Sequence, residues 1–280
     1  MISFELMNQN DFELAHIFEC GQCFRWKKED DGSYIGVIKN GIVCIKKEKD
    51  KIIVHSSLDN EEEIKEYLDI NTDYSKIKLI LQKDDESMKE AITYGRGIRI
   101  LNQDPWEMLI SYIISAANNI PRISKCIENI SKSYGEKVIF NDKEYYLFPT
   151  PEMLSQATLE ELRGLNLGFR DKYIYSATKL VFDGKVNLEN IARMPYKAAK
   201  KELTKIPGVG EKVADCILLF SMKKKEAFPV DTWIKKVMGE IYIDSQNIKK
   251  IAEYAENKFG EYAGIAQQYL FYYEKYSQNT

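Results

Sequence analysis

LTKIPGVGEKVADCILLFSMKKKEAFPVDTW, residues Leu203–Trp233, decides the reading of this chain. A Pro-Gly-X-Gly turn at Pro207, Gly208, Val209 and Gly210 joins two helical segments. Lys212 lies two residues into the second segment, and Asp231 follows 19 residues later, after Pro229 and Val230, at the mouth of another helix. Glycine in such a turn takes positive φ and leaves the backbone bare. The N–H groups of the turn and of the next helix's first residues then point outward together. That is an anion site, reinforced by the helix dipole. A plain helix–turn–helix corner without a ligand accounts for the same residues, and the turn alone does not separate the two. No G-K-[ST] follows, which argues against a Walker-type nucleotide loop.

Lys212 and Cys216 are four residues apart and share a helix face. A lysine near a helix N-terminus opposes the dipole, and desolvation lowers its affinity for the proton further. By that route a lysine amine becomes a nucleophile. The bland alternative is one more solvated helical lysine. Asp231 reads first as an N-cap, and a capped carboxylate stays ionised and can stabilise nearby positive charge. Asp215, three residues after Lys212, is the competing carboxylate and is assigned to local helix contacts.

The chain has 280 residues and 44% hydrophobic content, enough for two or three domains. No run of about 18 apolar residues is present, so no membrane span is expected. The acidic start MISFELMNQNDFELA lacks a signal-peptide pattern, and a soluble intracellular protein is expected. Five cysteines at irregular spacing argue against a disulfide framework. The net charge is −3. Residues 1–100 hold 15 basic and 20 acidic residues; residues 101–280 hold 25 and 23. Any nucleic-acid affinity would therefore have to rest on placed donors more than on bulk field.

Up to about residue 58, CFRWKK, SYIGVIK, GIVCIKK and KIIVHSS read as short strands, with DDGS and KNG as turns. An antiparallel sheet with one wet face is expected. Asn60 is placed to cap the acidic helix EEEIKEYLDI, and residues 74–93 read as helical. From Asp104 the period is helical, with Trp106, Leu109, Ile110, Ile113 and Ile114 as an apolar stripe. ISKCIENISKSYG, PEMLSQA, LEELRGL, DKYIYSATKLVF, PYKAAKKELTKI, EKVADCILLFSM, DTWIKKVMGEIY and two segments near 247–259 and 262–276 continue the helices. The expected domains are an N-terminal β-rich unit, 1–95, and an α-helical body, 96–280, holding the hairpin and catalytic helix at 203–240.

IPGVGEKVADC…PVDTW resembles the signature of the helix–hairpin–helix (HhH-GPD) DNA glycosylase superfamily. The 8-oxoguanine DNA glycosylase branch fits best. GQCFRW at Gly21–Trp26, RILNQDPWEMLISYIISAANNIPRI, LGFRDKY and YAGIAQQYLF add ordered matches over about 250 residues. The resemblance implies an α+β fold: an antiparallel TBP-like N-terminal domain packed on a helical HhH-GPD body, with a DNA cleft between them. It implies base excision repair: removal of 8-oxoguanine from duplex DNA by a monomeric glycosylase that also cleaves abasic sites.

By the same resemblance, Lys212 attacks the deoxyribose anomeric carbon and forms a Schiff base, and Asp231 stabilises the developing cation. Gly21 reads the lesion through its carbonyl. Gln267 reads the Watson–Crick edge, Cys216 and Phe271 sandwich the base, and Pro229 joins that pocket. Arg122, Asn118, Phe169, Arg170, Gly208, Val209, Gly210 and Trp233 are implied to contact DNA. No cofactor is required, and with no cysteine after Cys216 the family's four-cysteine iron–sulfur cluster is excluded. A structural ion on the carbonyls of Thr204, Ile206 and Val209 is implied when DNA is bound. Cys20 and Cys23 read as a strand pair rather than as a metal site.

Three positions depart from the pattern. Ala117 replaces an asparagine, Phe169 a tyrosine and Trp233 a histidine. The first two imply relaxed discrimination of the opposite base, the third a changed phosphate contact. A cytoplasmic, nucleoid-associated prokaryotic protein is expected. The rival readings are a monofunctional alkylbase glycosylase, which needs no lysine, and a non-catalytic helix–hairpin–helix module.

Overall fold

The computed structural model describes residues 2–7, 11–49 and 51–277. Strand β1 (Ile2–Met7) and the short helix α1 (Leu14–Phe18) precede β2 (Lys27–Lys28), β3 (Tyr34–Ile38), β4 (Gly41–Glu48) and β5 (Lys51–Ser56). These strands form an antiparallel sheet in the order β1-β5-β4-β3-β2. The edge strand β1, which alternation alone does not single out, pairs with β5 from Ile2↔Ser56 to Met7↔Lys51.

The strand expected over CFRWKK shrinks to its last two residues. Gln22, fully buried, holds the preceding segment as a loop. Its Nε2 donates to Ile17 O (2.9 Å) and Arg99 O (2.8 Å), and its Oε1 accepts from Leu101 N–H (2.9 Å). Cys20 and Cys23 therefore lie in a bend, not on a strand; both are buried free thiols. Among the described residues no group of three or more His, Cys, Asp or Glu is arranged to hold a metal ion.

Helices α2 (Glu61–Tyr67), α3 (Tyr74–Leu81) and α4 (Glu86–Tyr94) follow, each N-capped by a side chain: Asn60, Asp73 and Asp85. Helix α5 (Pro105–Ser115) is the axis of the body. The expected stripe is in fact buried on every side, with all residues from Trp106 to Ile114 inside. Buried Glu107 is tolerated there because Arg25 pairs with it at 3.4 Å.

Helix α6 (Ile120–Tyr134) leads into a hairpin, β6 (Lys137–Phe140) and β7 (Lys143–Tyr146), which the sequence reading lacks. Its two-residue turn, Asn141–Asp142, takes φ of 49° and 58°, the left-handed geometry in which glycine is usual. Phe140 and Leu147 pack on Ile35, Val37 and Ile42 of the N-terminal sheet. The face expected to be wet is thus covered over β3, every residue of which is buried, while β5 keeps an alternating wet face.

The remaining helices are α7 (Pro151–Ser155), α8 (Leu159–Gly164), α9 (Asp171–Phe182), α10 (Leu188–Arg193), α11 (Tyr196–Leu203), α12 (Glu211–Ser221), α13 (Thr232–Val237), α14 (Ile248–Phe259) and α15 (Ala263–Tyr276). A 3₁₀ turn, Gly168–Arg170, runs straight into α9. Their apolar faces and α5 make one continuous core. No helix of the described residues is long and apolar enough to cross a membrane.

Candidate active site

Between α11 and α12 the chain turns within a few residues. Ile206 N–H donates to Leu203 O, and Val209 N–H to Ile206 O, both at 3.0 Å. Gly208 has φ +87°, and a Cβ there would stand 2.7 Å from Tyr173 Cβ, so the position accepts only glycine. Gly210 does not use its freedom: at φ −89° and ψ 179° it is an extended N-cap of α12 with no side-chain acceptor. Val209 is buried and its N–H is engaged. The expected outward-pointing donors left for an anion are therefore the Gly208 and Gly210 N–H groups and those of the uncapped first turn of α12.

Helix α12 carries Lys212 into a cleft of about 900 Å³ between the N-terminal loop and the ends of α5, α13 and α15. Gly21, Asn118, Lys212, Asp231, Trp233 and Phe271 all line it. Lys212 is half-buried, with its Nζ 5.4 Å from the centre of the Tyr112 ring. Tyr112 is fixed in turn, donating to Gln22 O at 3.2 Å and stacking on Phe220. Asp231 caps α13, its Oδ1 accepting from Ile234 N–H at 2.9 Å, which turns the carboxylate into the cleft mouth.

Cys216 lies one turn beyond Lys212 and is buried. Burial pushes its thiol up to about 11, with the Lys212 ammonium pulling the other way. It is therefore a neutral, polarisable thiol at neutral pH, and it is not among the residues that line the cleft. Pro229 and Gln267 are also buried and do not line the cleft, so of the expected base-pocket residues only Gly21 and Phe271 stand at its surface. The Oε1 of Gln267 is buried without a hydrogen-bond partner, a costly state that an incoming donor would relieve. Asp215 faces away from the cleft. It binds Tyr196 Oη (2.8 Å) and Lys200 Nζ (2.9 Å) of α11, so its contacts cross between helices rather than staying local as expected.

On the opposite wall Gly21 has φ +86°, and a Cβ there would meet Ile120 Cδ1 and Phe271 Cε1 at 3.5 Å. Asn118 lines the cleft, but its side chain is already engaged: Nδ2 donates to Ile114 O (3.0 Å) and Oδ1 accepts from Asn119 N–H (3.0 Å). Ala117 beside it is exposed, with φ +49°.

Phe169 projects with 54% of its surface exposed, and Arg122 is also exposed. Arg170 corrects the expectation of a DNA contact. It is only 2% exposed, and its guanidinium donates to the carbonyls of Ala116 (2.9 Å), Ala117 (2.9 Å) and Leu167 (3.2 Å). It holds the α5–α6 loop to the 3₁₀ turn instead of facing solvent. Trp233 stands at the cleft with 38% of its surface exposed.

Gln22, Tyr112 and Lys275 belong to this site yet carry no sequence signal of it. Gln22 sits within GQCFRW, Tyr112 within an apolar helix, and Lys275 within a polar terminal turn.

A β-rich domain and a helical body joined at such a lysine–aspartate cleft define a base-excision scaffold. The chain belongs to the HhH-GPD superfamily of base excision DNA repair proteins, whose model matches residues 110–261, preceded by the 8-oxoguanine DNA glycosylase N-terminal domain at 6–109. It is 32% identical to the N-glycosylase/DNA lyase OGG1 of Arabidopsis thaliana, covering 98% of this chain and 80% of that one. A probable N-glycosylase/DNA lyase of Methanothermobacter thermautotrophicus is 29% identical, with 93% of each covered. The 8-oxoguanine glycosylase/lyase of Clostridium acetobutylicum, solved with double-stranded DNA containing cytosine opposite 8-oxoguanine, superposes with TM-score 0.92 at 44% identity. That match covers 96% of this chain and 93% of the other.

Proposed function

We propose that this chain is a bifunctional DNA glycosylase that excises 8-oxoguanine from duplex DNA and cleaves the abasic strand. The observation that carries this reading is the cleft itself: an amine and a capped carboxylate on one side, Gly21 and Phe271 on the other. The extruded base enters between Phe271 and Cys216. Gln267 Oε1 receives a donor from the base edge, and the Gly21 carbonyl accepts the N–H that distinguishes the oxidised purine from guanine. The Lys212 amine attacks the anomeric carbon and the base leaves with the bonding electrons. Ring opening yields an imine, and loss of a proton from the adjacent carbon expels the 3′ phosphate. Asp231 stabilises the positive charge at the sugar.

Ala117 and Phe169 present no amide or hydroxyl to the orphaned base, so we expect relaxed opposite-base discrimination. Cleavage of 8-oxoguanine paired with each of the four bases tests this, and a strong preference for cytosine would sink it. The carbonyls of Thr204, Ile206 and Val209 would hold an ion at the hairpin. They are neutral donors, and Ile206 O already accepts from Val209 N–H, which suits a weakly held cation. We place the protein, as a monomer, in a prokaryotic cytoplasm at the nucleoid; its relatives include bacterial and archaeal enzymes, and plant and yeast ones match as well.

Borohydride trapping on an 8-oxoguanine duplex tests the central claim. Wild type forms a covalent adduct, and Lys212→Gln does not. Base release without an adduct would favour a monofunctional enzyme, and binding with neither would leave only a DNA-binding module.

A further inference from the structure

Four charged side chains among the described residues line the cleft: Glu19, Lys212, Asp231 and Lys275. Glu19 accepts from Tyr34 Oη, and Lys212 and Asp231 are committed to the sugar in the reading above. That leaves Lys275, on the last turns of α15. Its Nζ lies 5.1 Å from the Phe271 ring centre and 4.9 Å from that of Tyr276. Its contacts among the described residues are with these rings, and no carboxylate of the described residues forms an ion pair with it. Burial disfavours its charge, and the charge that most supports it is Asp231, across the cleft. Aromatic faces hold the ammonium in place but do not neutralise it.

A half-buried cation with no direct ion pair among the described residues, lining a cleft that admits a polyanion, is a phosphate ligand in waiting. Trp233 cannot supply that charge, since its indole is a neutral donor. We propose that Lys275 binds the backbone phosphodiester beside the extruded nucleotide, setting the sugar's position against Lys212. This rests on the function proposed above, but its test does not.

The probe is a duplex carrying a tetrahydrofuran abasic analogue, which cannot be cleaved, with Kd measured by anisotropy across a KCl series. Removing one phosphate contact lowers the slope of log K against log salt by about 1. Lys275→Gln should lose that increment, and Lys275→Arg should keep it. Melting temperatures within about 2 °C of wild type for both variants would show the fold intact; Lys275→Met serves if Lys275→Gln does not fold. An unchanged slope in the neutral variants overturns the proposal. So does an equal loss in the glutamine and arginine variants, which would mark a packing role. Borohydride trapping that persists in Lys212→Gln and disappears in Lys212→Gln/Lys275→Gln would make Lys275 a second amine instead. A protein that binds the analogue with the expected slopes but never releases 8-oxoguanine refutes the proposed substrate and leaves Lys275 as assigned.

Discussion

The Lys212 ammonium lies over the face of Tyr112, 5.4 Å from the ring centre. The ring belongs to α5, the nucleophile to α12, and these two helices pack against each other. The core therefore aims the amine. A cation–π contact of this kind is worth about 0.5–2 kcal/mol. Tyr112→Leu should slow single-turnover excision about 10-fold, since roughly 1.4 kcal/mol separates tenfold rates. Tyr112→Phe keeps the face and loses only the bond to Gln22 O, so its rate should stay near wild type with about 1 kcal/mol less stability.

Gly21→Ala separates space from backbone geometry. The nearest atoms to a new Cβ are at 3.5 Å, ordinary contact, but φ is +86°. Alanine there costs roughly 1–2 kcal/mol, and relaxation toward negative φ would turn the carbonyl. The ratio of affinities for 8-oxoguanine and undamaged duplexes should fall, while binding to undamaged DNA stays close to wild type. A preserved ratio would remove Gly21 from lesion reading.

Arg170 and Arg122 should separate cleanly. Arg170→Ala leaves three loop carbonyls without their donor and should cost about 2 kcal/mol or more, with excision reduced against every opposite base. Arg122 is exposed, so Arg122→Ala should melt like wild type and alter only the ranking of opposite bases. Thermal melts and the four-base cleavage series distinguish these outcomes.

Asp215 supplies a pH signature. Burial raises its carboxyl from 3.8 to about 6, against the pull of Lys200. Below 3.8 the group is protonated in both folded and unfolded chains. Between 3.8 and about 6 the folded chain holds the proton and the unfolded chain does not, so this contribution to stability falls as pH rises and is gone above about 6. Asp215→Asn keeps the neutral form throughout. The melting temperature of wild type minus that of the variant should decline from about pH 4 to about pH 6.5 and then level off. A difference that rises over that interval would contradict the assignment.

The turn at Pro207–Gly210, the helix of Lys212 and the cap of Asp231 were legible because each is local: a dipeptide, a period, an N-cap. The role of Arg170 was not, because its acceptors are carbonyls 53 and 54 residues earlier, and an arginine beside a wedge residue looks solvated until its burial is known. The β6–β7 hairpin was hidden because its turn contains no glycine, although Asn141 and Asp142 both adopt the left-handed conformation. Gln22 was taken for a strand residue, since nothing local shows that its amide bridges the loop to Arg99 and Leu101. Resemblance placed Gln267, and only packing shows that its oxygen is unmatched.

The β6–β7 hairpin springs from the helical body and grips the sheet with Phe140 and Leu147, while Lys143 reaches Glu29 at 2.8 Å and the Arg25 guanidinium reaches Tyr146 O. The two jaws of the cleft are riveted together away from the opening. Any change in their gape has to work against these contacts, which opposes closing on a ligand. The distortion needed to seat an everted nucleotide then falls on the double helix, and lesions that soften base stacking would be admitted most cheaply.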